Sequence, residues 1–308
     1  MSNPTITIAT VQAGRTSQNP GLEKNFILLA NQARQAATSR PDLIAFPEYT
    51  ISGWPYPSED IINSIAEPIP GNGIWFSRYQ TLAQELKTPI LGWLVETENN
   101  NLYNTAFILN ASGEYVGKYQ KVHANLGEQT WWGWSQGPSF TPIVLNGVKY
   151  GISICADMWF PETVRCWELA GADIVIHISI ADDMGHLIPA RAFDSELPIV
   201  AAIYNGGSYA VDAQGTLISK LSTDHPGWMA FHLQPFLVRT ANKYGGQWIP
   251  KKGNQNMRNI AAYAPLVDPT TRPPWTDIFR DKDGNLQTKD QLLKRFKGRY
   301  DANDPKPQ

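Results

Sequence analysis

Short apolar runs that alternate with amphipathic helical segments limit what this chain can fold into. Residues 5–11 (TITIATV) and 43–46 (LIAF) are two such runs, and runs rich in β-branched and aromatic residues are typical of buried strands. The segment between them carries apolar residues at helical spacing, namely Leu22, Phe26, Leu29, Ala33 and Ala36. Strand, helix and strand in succession predict an α/β fold with largely buried sheets.

Strands and helices alternate a second time later in the chain. The first helix is expected to start with Asn19 as its N-cap and Pro20 as its first residue, and to end before Pro41. Further helices are predicted at about residues 75–86, 161–170 and 186–197. Further strands are predicted at residues 90–95, 104–109, 114–119, 150–154, 173–179, 198–204, 209–211 and 216–220.

The composition changes near residue 240. No linker, repeat or low-complexity segment divides residues 1–240, which are therefore predicted to form one domain. Residues 241–308 are rich in Pro, Lys, Asn and Gly. We expect them to form a C-terminal extension, which either packs on a partner subunit or lies loosely on the surface.

Charge and cysteine content exclude several classes of protein. The 308 residues carry a formal net charge of −2, which argues against nucleic acid or an anionic membrane as the main partner. Two cysteines are too few for a disulfide scaffold and suit a reducing compartment. The N-terminus lacks the features of a signal peptide, and no run approaches the length of a membrane span. A soluble, cytoplasmic protein is expected.

Metal and phosphate motifs are absent from the sequence. The five histidines show no HExxH pattern, and there is no CxxC pair. Neither a GxxxxGK[ST] loop nor a GxGxxG loop after a strand is present. The sequence therefore predicts no metal site and no cofactor.

Three polar residues stand at the ends of apolar runs. Glu48 follows LIAFP, Lys121 follows the predicted strand 114–119, and Cys155 follows YGISI just before a helix that opens near Pro161. Taken singly, each charged residue is expected at the surface and the cysteine in the core. As a set they suit covalent catalysis: a thiol needs a base, and an ammonium stabilises an oxyanion. A cysteine just before a helix N-terminus would also have an exposed, activated thiol.

These residues lie in three blocks that resemble the nitrilase superfamily of carbon–nitrogen hydrolases. The blocks are LIAFPEYTISGW, GKYQKVHANLGE and GISICADMWFPE, with supporting blocks at ARAFDSELPIVAAIYNGG and VDAQGTLISK. Together they span about residues 5–235, in the order of the family. The resemblance implies a four-layer αββα sandwich that dimerises into an αββααββα unit.

The resemblance also implies roles for individual residues. Cys155 would be the nucleophile and Glu48 the general base. Lys121 would hold the oxyanion, together with the backbone N–H of Ala156. Glu128 corresponds to a second glutamate of the family and would position Lys121 and the substrate amine.

Other residues near Cys155 are expected to be structural. Asp157 is predicted to brace the turn after the cysteine. Glu162 and Arg165 are three positions apart in the predicted helix, where an intrahelical ion pair is favoured.

The segment after Cys155 bears on the substrate. Several carbamoyl-amino-acid hydrolases of this family carry Arg here, a natural clamp for a carboxylate, whereas this chain has Met158 and Trp159. Trp54, Trp132 and Trp159 lie close in sequence to the candidate catalytic residues and predict an aromatic pocket for an uncharged acyl group. Core or subunit-interface positions are the alternative for some of these tryptophans.

Two activities and one non-enzymatic role stay open at this point. The CAD sequence at Cys155 resembles amidase-like branches, whereas the spacing from Lys121 to Glu128 and the following Trp132-Gly133 resemble nitrilases. A neutral amide is the favoured small-molecule substrate and a nitrile the alternative. A non-catalytic binding or scaffold protein is the alternative of a different class, and the implied assembly is a homo-oligomer, a dimer or larger.

Overall fold

A computed structural model of the chain describes residues 5–15, 19–53, 58–181 and 185–235, two short strands and Leu266. Leu126, Thr130 and Trp131 are described by their backbone alone. The chain divides into two compact units. The first consists of Met1–Asn125 and Gly133–Arg239, and the second of Leu126–Trp132 and Thr240–Gln308.

Six α-helices and fourteen strands lie in the part of the chain that the structure describes. The helices are α1 (Leu22–Ala36), α2 (Glu59–Ser64), α3 (Ile74–Leu86), α4 (Leu126–Trp131), α5 (Pro161–Leu169) and α6 (Leu187–Ser195). The strands are β1 (Ile6–Gln12), β2 (Leu43–Ala45), β3 (Ile90–Glu98), β4 (Asn101–Leu109), β5 (Tyr115–Gln120), β6 (Ile143–Leu145), β7 (Val148–Ile154), β8 (Ile174–Ser179), β9 (Ile199–Ile203), β10 (Tyr209–Val211), β11 (Leu217–Lys220), β12 (Gly227–Leu233), β13 (Lys243–Tyr244) and β14 (Gln247–Trp248). Helix α4 and the hairpin of β13 and β14 belong to the second unit.

The first unit contains two six-stranded mixed sheets. Their strand orders are β12-β1-β2-β3-β4-β5 and β11-β10-β9-β8-β7-β6. In the first sheet β1, β2 and β3 run parallel, and in the second β7, β8 and β9 do. The other pairs in both sheets are antiparallel. Each parallel set is buried, as expected for strands that are covered on both faces.

The helices cover the outer faces of the two sheets. Helices α1 and α3 contact strands of the first sheet, and α5 and α6 contact strands of the second. Strand β1 contacts β9 across the sheets. The predicted four-layer αββα sandwich is therefore confirmed. Among the helices that the structure describes, none is long and apolar enough to cross a membrane.

Two local predictions were wrong. Helix α1 begins at Leu22 with Gly21 as its N-cap, because the Asn19 Oδ1 atom accepts the Gly21 N–H instead of capping a helix. Arg165 pairs with Glu168 at 2.6 Å rather than with Glu162. Glu168 is buried and requires a cation, whereas Glu162 is exposed and hydrated.

A buried carboxylate anchors the outer face of the first sheet. Glu96 on β3 is fully buried and accepts hydrogen bonds from Lys118 Nζ, Gln120 Nε2 and Thr105 Oγ1. Lys118 also pairs with Glu98 at 2.8 Å. Burial lowers the pKa of Lys118, but the hydrogen bonds that Lys118 donates to Glu96 and Glu98 outweigh this effect, and the pKa is raised. The lysine therefore stays charged and neutralises Glu96.

Loss of the Lys118 ammonium is expected to lower the free energy of unfolding far more than loss of a cation at the surface. Lys118→Met leaves the buried Glu96 carboxylate without its counter-charge, which costs about 3 kcal/mol. Arg34→Met is the matched control, because the Arg34–Glu85 pair is about half exposed and such pairs contribute less than about 1 kcal/mol. Thermal unfolding of both variants at one protein concentration tests this. Equal losses would contradict it.

Candidate active site

Glu48 lies just beyond the carboxyl end of β2 and is fully buried. Its Oε1 atom accepts hydrogen bonds from Asn104 Nδ2 at 2.8 Å and from Lys121 Nζ at 3.4 Å. Its Oε2 atom accepts the backbone N–H of Ile180 at 3.1 Å. A carboxylate out of water is tolerated only when donors surround it in this way.

Lys121 follows the last residue of β5 and is also fully buried. Its backbone N–H donates to the Asn104 carbonyl at 2.9 Å, and its carbonyl accepts the Gly137 N–H at 2.8 Å. The expectation that Glu48 and Lys121, taken singly, would lie at the surface is therefore wrong. They form an ion pair inside the protein, where the attraction between charges is stronger than in water.

Cys155 lies in a sharp, strained turn at the end of β7. Its φ of 46° falls in the left-handed region, which is unfavourable for a residue with a Cβ atom. It begins a 3-10 helix, Cys155–Trp159, and α5 starts only at Pro161. The expectation that the thiol is exposed just before the main helix is therefore wrong, since Cys155 is buried. Strained residues of this kind concentrate at functional sites.

The backbone N–H of Ile180 brings Glu48 to the sheet that carries Cys155. Strand β8 ends one residue before Ile180 and pairs in parallel with β7, with Ile154 opposite Ile178. Cys155 and Ile180 therefore both lie just beyond the carboxyl ends of neighbouring strands, which are about 5 Å apart. Glu48 comes from the other sheet and binds at this edge. Carboxyl ends of parallel strands are the usual place for an active site in α/β folds.

Asp157 ties the cysteine turn to the segment around Lys121. Its buried carboxylate accepts the Ile154 N–H, the Tyr119 hydroxyl and the His123 N–H, each at 2.9 Å. The His123 Nδ1 atom lies 2.8 Å from the same carboxylate. Tyr119 and His123 flank Lys121, so the predicted bracing role of Asp157 is confirmed and extends further than the turn itself.

The hydroxyl of Tyr119 remains a donor to Asp157. Burial, and then the nearby Asp157 charge, raise the pKa of Tyr119 well above its usual value. The phenol is therefore neutral at any pH at which the protein would be studied. On the other side of Lys121 in the sequence, the His123 ring stacks on Phe160 with ring centroids 4.0 Å apart, which fixes the position of the imidazole.

The remaining predicted site residues have different surroundings. Ala156 is buried next to Cys155, whereas Trp159 is 51% exposed. Glu128, on α4, and Trp132 belong to the second unit, and both are buried. Trp54 lies outside the residues that the structure describes. The catalytic and binding roles of these residues stay predictions.

Asn104 and Trp93 were missed by the sequence reasoning. Asn104 is buried within β4, and its Oδ1 atom accepts the Trp93 Nε1–H at 2.6 Å while its amide group donates to Glu48. Asparagine is depleted in strands, so an Asn inside the apolar run LYNTAFIL was the available signal. Among the residues that the structure describes, no group of three or more His, Cys, Asp or Glu side chains could hold a metal ion.

Comparison with known proteins identifies the family of this chain and supports its fold. The profile of the carbon-nitrogen hydrolase family matches residues 7–243. A nitrilase from Pyrococcus abyssi is 26% identical over 200 residues, which cover 64% of this chain and 74% of that protein. An (R)-stereoselective amidase from Pseudomonas sp. is 29% identical over 202 residues, covering 59% and 70% respectively.

A solved structure shows the same fold. The crystal structure of a carbon-nitrogen hydrolase from Helicobacter pylori superposes with a TM-score of 0.67 at 20% identity. The match covers 86% of this chain and 99% of that one.

The bracing role of Asp157 makes a prediction about stability. Asp157→Asn turns an amide N–H toward groups that are themselves donors, so we expect a loss of about 3 kcal/mol in the free energy of unfolding. Asp173→Asn is the matched control, because Asp173 accepts one backbone N–H, from Lys149, near the surface, and should lose less than about 1 kcal/mol. Chemical denaturation measures both, and a loss at Asp157 no greater than at Asp173 would refute the role.

Proposed function

Because this chain belongs to the carbon-nitrogen hydrolase family, we propose that it hydrolyses a neutral amide through a thioester on Cys155, releasing ammonia and a carboxylic acid. The chain is thus an enzyme of the amidase and nitrilase type, acting on C–N bonds other than peptide bonds. The observation that carries the proposal is the buried Glu48–Lys121 pair, whose carboxylate binds the N–H of Ile180 beside the strand that leads to Cys155.

The first half of the reaction forms the thioester. Glu48 takes the thiol proton while the Cys155 sulfur attacks the carbonyl carbon. The oxyanion that forms is stabilised by the Lys121 ammonium and the Ala156 N–H. When the intermediate collapses, the C–N bond breaks and Glu48 gives its proton to the departing nitrogen, which leaves as ammonia.

The second half releases the acid. Glu48 takes a proton from water, and the hydroxide oxygen attacks the thioester carbon. The C–S bond then breaks, and the thiolate regains a proton from Glu48. Glu128 is proposed to hold Lys121 and the substrate amine in position. Trp54, Trp132 and Trp159 are proposed to contact the acyl group.

The buried ion pair suits these steps electrostatically. When Glu48 accepts the proton it loses its charge, and the Lys121 ammonium loses its counter-ion at the moment when negative charge develops on sulfur and then on oxygen. Since both side chains are out of water, the attraction of the ammonium for this new charge is not screened. The pair therefore favours the transition state over the resting enzyme.

A nitrile substrate is the second candidate. A nitrilase would attack the nitrile carbon with the same thiol and reach the same thioester, and one relative carries the name nitrilase. The CAD sequence at Cys155 favours the amide over the nitrile. Met158 in the buried turn favours an uncharged acyl group for either substrate. A non-catalytic scaffold is the alternative of another class. Burial of two opposite charges beside a strained cysteine has no evident use in such a protein.

Three further proposals concern the whole protein. Residues 1–240 form the hydrolase domain and residues 241–308 an extension that packs on a partner subunit. The protein forms a homo-oligomer, supported by the exposed Leu169 and Phe193 on the adjoining helices α5 and α6. A cytoplasmic location is supported by the low cysteine content, two cysteines in 308 residues, which suits a reducing compartment.

The catalytic proposal predicts which substitutions remove activity. Cys155→Ala removes the nucleophile, and Glu48→Gln removes a base whose contribution to such reactions is about 100- to 10,000-fold. Ammonia release is measured across aliphatic, aromatic and carbamoyl amides and their nitriles. Cys166→Ala is the control, since this half-buried thiol lies on α5, and it should retain full activity. Normal turnover by Cys155→Ala would refute the proposal.

The assembly proposal predicts that a charge on the apolar face of α5 and α6 separates the subunits. Leu169→Glu with Phe193→Glu introduces two carboxylates where the interface would be desolvated. Light scattering after gel filtration should give a dimer or larger for the wild type and a smaller species for this variant. Ile27→Glu, at a similarly exposed residue of α1, should leave the mass unchanged. A monomeric wild type would contradict the assembly.

A further inference from the structure

We infer that Asn104, held by Trp93, is a positioning residue that orients the Glu48 carboxylate and couples it to Lys121. The Trp93 Nε1–H donates to Asn104 Oδ1 at 2.6 Å, and Asn104 Nδ2 donates to Glu48 Oε1 at 2.8 Å. The three residues form a buried hydrogen-bonded chain that starts in the core and ends at the proposed base. The inference rests on the proposed function in taking Glu48 as the base for Cys155.

The hydrogen-bonding chemistry of Trp93 and Glu48 determines which kind of side chain can lie between them. An indole nitrogen is a donor only, and an ionised carboxylate is an acceptor only. A side chain between them must accept with one atom and donate with another, which a primary amide does. The indole therefore fixes which way the Asn104 amide points. A flipped amide would set its N–H group against the indole N–H and its oxygen against the carboxylate.

The sheet places these side chains in reach of each other. Asn104 on β4 is opposite Val95 on β3, and Trp93 lies two residues before Val95, on the same face. Trp93 and Asn104 are thus diagonal neighbours, a distance that a long side chain spans. The Trp93 ring is packed against Tyr49, with centroids 5.0 Å apart, and is fully buried. No bulk water competes for these hydrogen bonds, which makes each of them consequential.

Asn104 contacts both members of the catalytic ion pair. Its side chain binds Glu48, and its backbone carbonyl accepts the N–H of Lys121 at 2.9 Å. Glu48 thus receives donors from β4, from the end of β5 and from the end of β8. Donors from three elements fix the plane of the carboxylate, and proton transfer depends steeply on such alignment.

The amide also affects the protonation of Glu48. A donor to a carboxylate stabilises its ionised form, and the ammonium of Lys121 at 3.4 Å acts in the same sense. Without the Asn104 donor the carboxylate is protonated at a higher pH. A base that is already protonated does not activate the thiol. The acid limb of the pH profile of Cys155 reactivity therefore moves to higher pH.

Two substitutions interrupt the hydrogen-bonded chain of Trp93, Asn104 and Glu48 at different points. Asn104→Asp keeps the shape of the side chain but sets a second carboxylate against Glu48. We expect Cys155 reactivity to fall about 100-fold and its acid limb to move up by at least about one pH unit. Trp93→Phe leaves Asn104 in place but frees its amide to rotate, and should lower reactivity about tenfold, the factor for one lost buried hydrogen bond.

Trp167→Phe is a matched control for Trp93→Phe. Trp167 is also fully buried, but its Nε1–H has no hydrogen-bond partner among the residues that the structure describes. Both substitutions remove the same atoms from the core, and Trp93→Phe also leaves the Asn104 oxygen without its donor, so it should lower the melting temperature at least as much as Trp167→Phe. Trp93→Phe alone should change the pH profile, which separates positioning from packing.

The readout is the rate at which chloroacetamide alkylates Cys155 between pH 5 and 10, followed by peptide mass spectrometry. The sulfur displaces chloride, forming a C–S bond, and the thiol proton passes to the base. Slower alkylation with a raised acid limb in Asn104→Asp and Trp93→Phe, but not in Trp167→Phe, is expected. Wild-type rates and profile in both variants would overturn the inference, as would equal slowing in Trp93→Phe and Trp167→Phe.

This measurement is separate from the test of hydrolysis. A wild type that is alkylated rapidly at Cys155 but releases no ammonia from any amide or nitrile refutes the hydrolytic proposal. The roles of Trp93 and Asn104 can still be tested by alkylation in that case. A wild type that hydrolyses an amide, with variants that are alkylated as fast as the wild type, refutes the positioning chain alone. If Asn104→Asp does not fold, Trp93→Phe and its control decide the question.

Discussion

The structure around the site depends on the cost of burying the Glu48 carboxylate. A carboxylate out of water loses several kcal/mol of hydration, which only hydrogen bonds and an opposite charge offset. Here the offsetting groups come from three places: Asn104 and Lys121 in one sheet, and the Ile180 N–H in the other. The hydrogen bonds that stabilise this one charge therefore hold the carboxyl ends of the two sheets together. They also place Glu48, the proposed base, beside the strand that leads to Cys155.

A second buried carboxylate has a similar effect on the position of the proposed nucleophile, Cys155. Asp157 accepts donors from the turn that contains Cys155 and from both sides of Lys121. The left-handed conformation of Cys155 is costly by itself. We attribute its persistence to these hydrogen bonds, which hold the turn from outside. The Glu48 carboxylate, the Lys121 ammonium and the Cys155 thiol are thus positioned by buried polar contacts rather than by shape alone.

The sequence predicted the parts of the fold that depend on local patterns. Apolar runs and helical spacing were sufficient for the parallel strands and for α1, α3, α5 and α6. Strand β12 was missed, because its residues are half-buried and their pairing partner, β1, lies more than 200 residues away in the chain. Motifs singled out Glu48, Lys121 and Cys155 as candidates, but did not predict the burial of the two charged residues, since a charge after a strand is usually solvated. Asn104 escaped notice because its role depends on Trp93, a neighbour across β3 and β4.

The central claim is that Cys155 carries the acyl group of the substrate during turnover. Its most direct test is to quench the enzyme in acid during steady-state hydrolysis of an amide and to weigh the peptide that contains Cys155. With Cys155 as the nucleophile, this peptide is expected to gain the mass of the acyl group less one hydrogen, and the adduct is expected to disappear when the substrate is exhausted. An acyl group on a different residue during turnover would contradict the account.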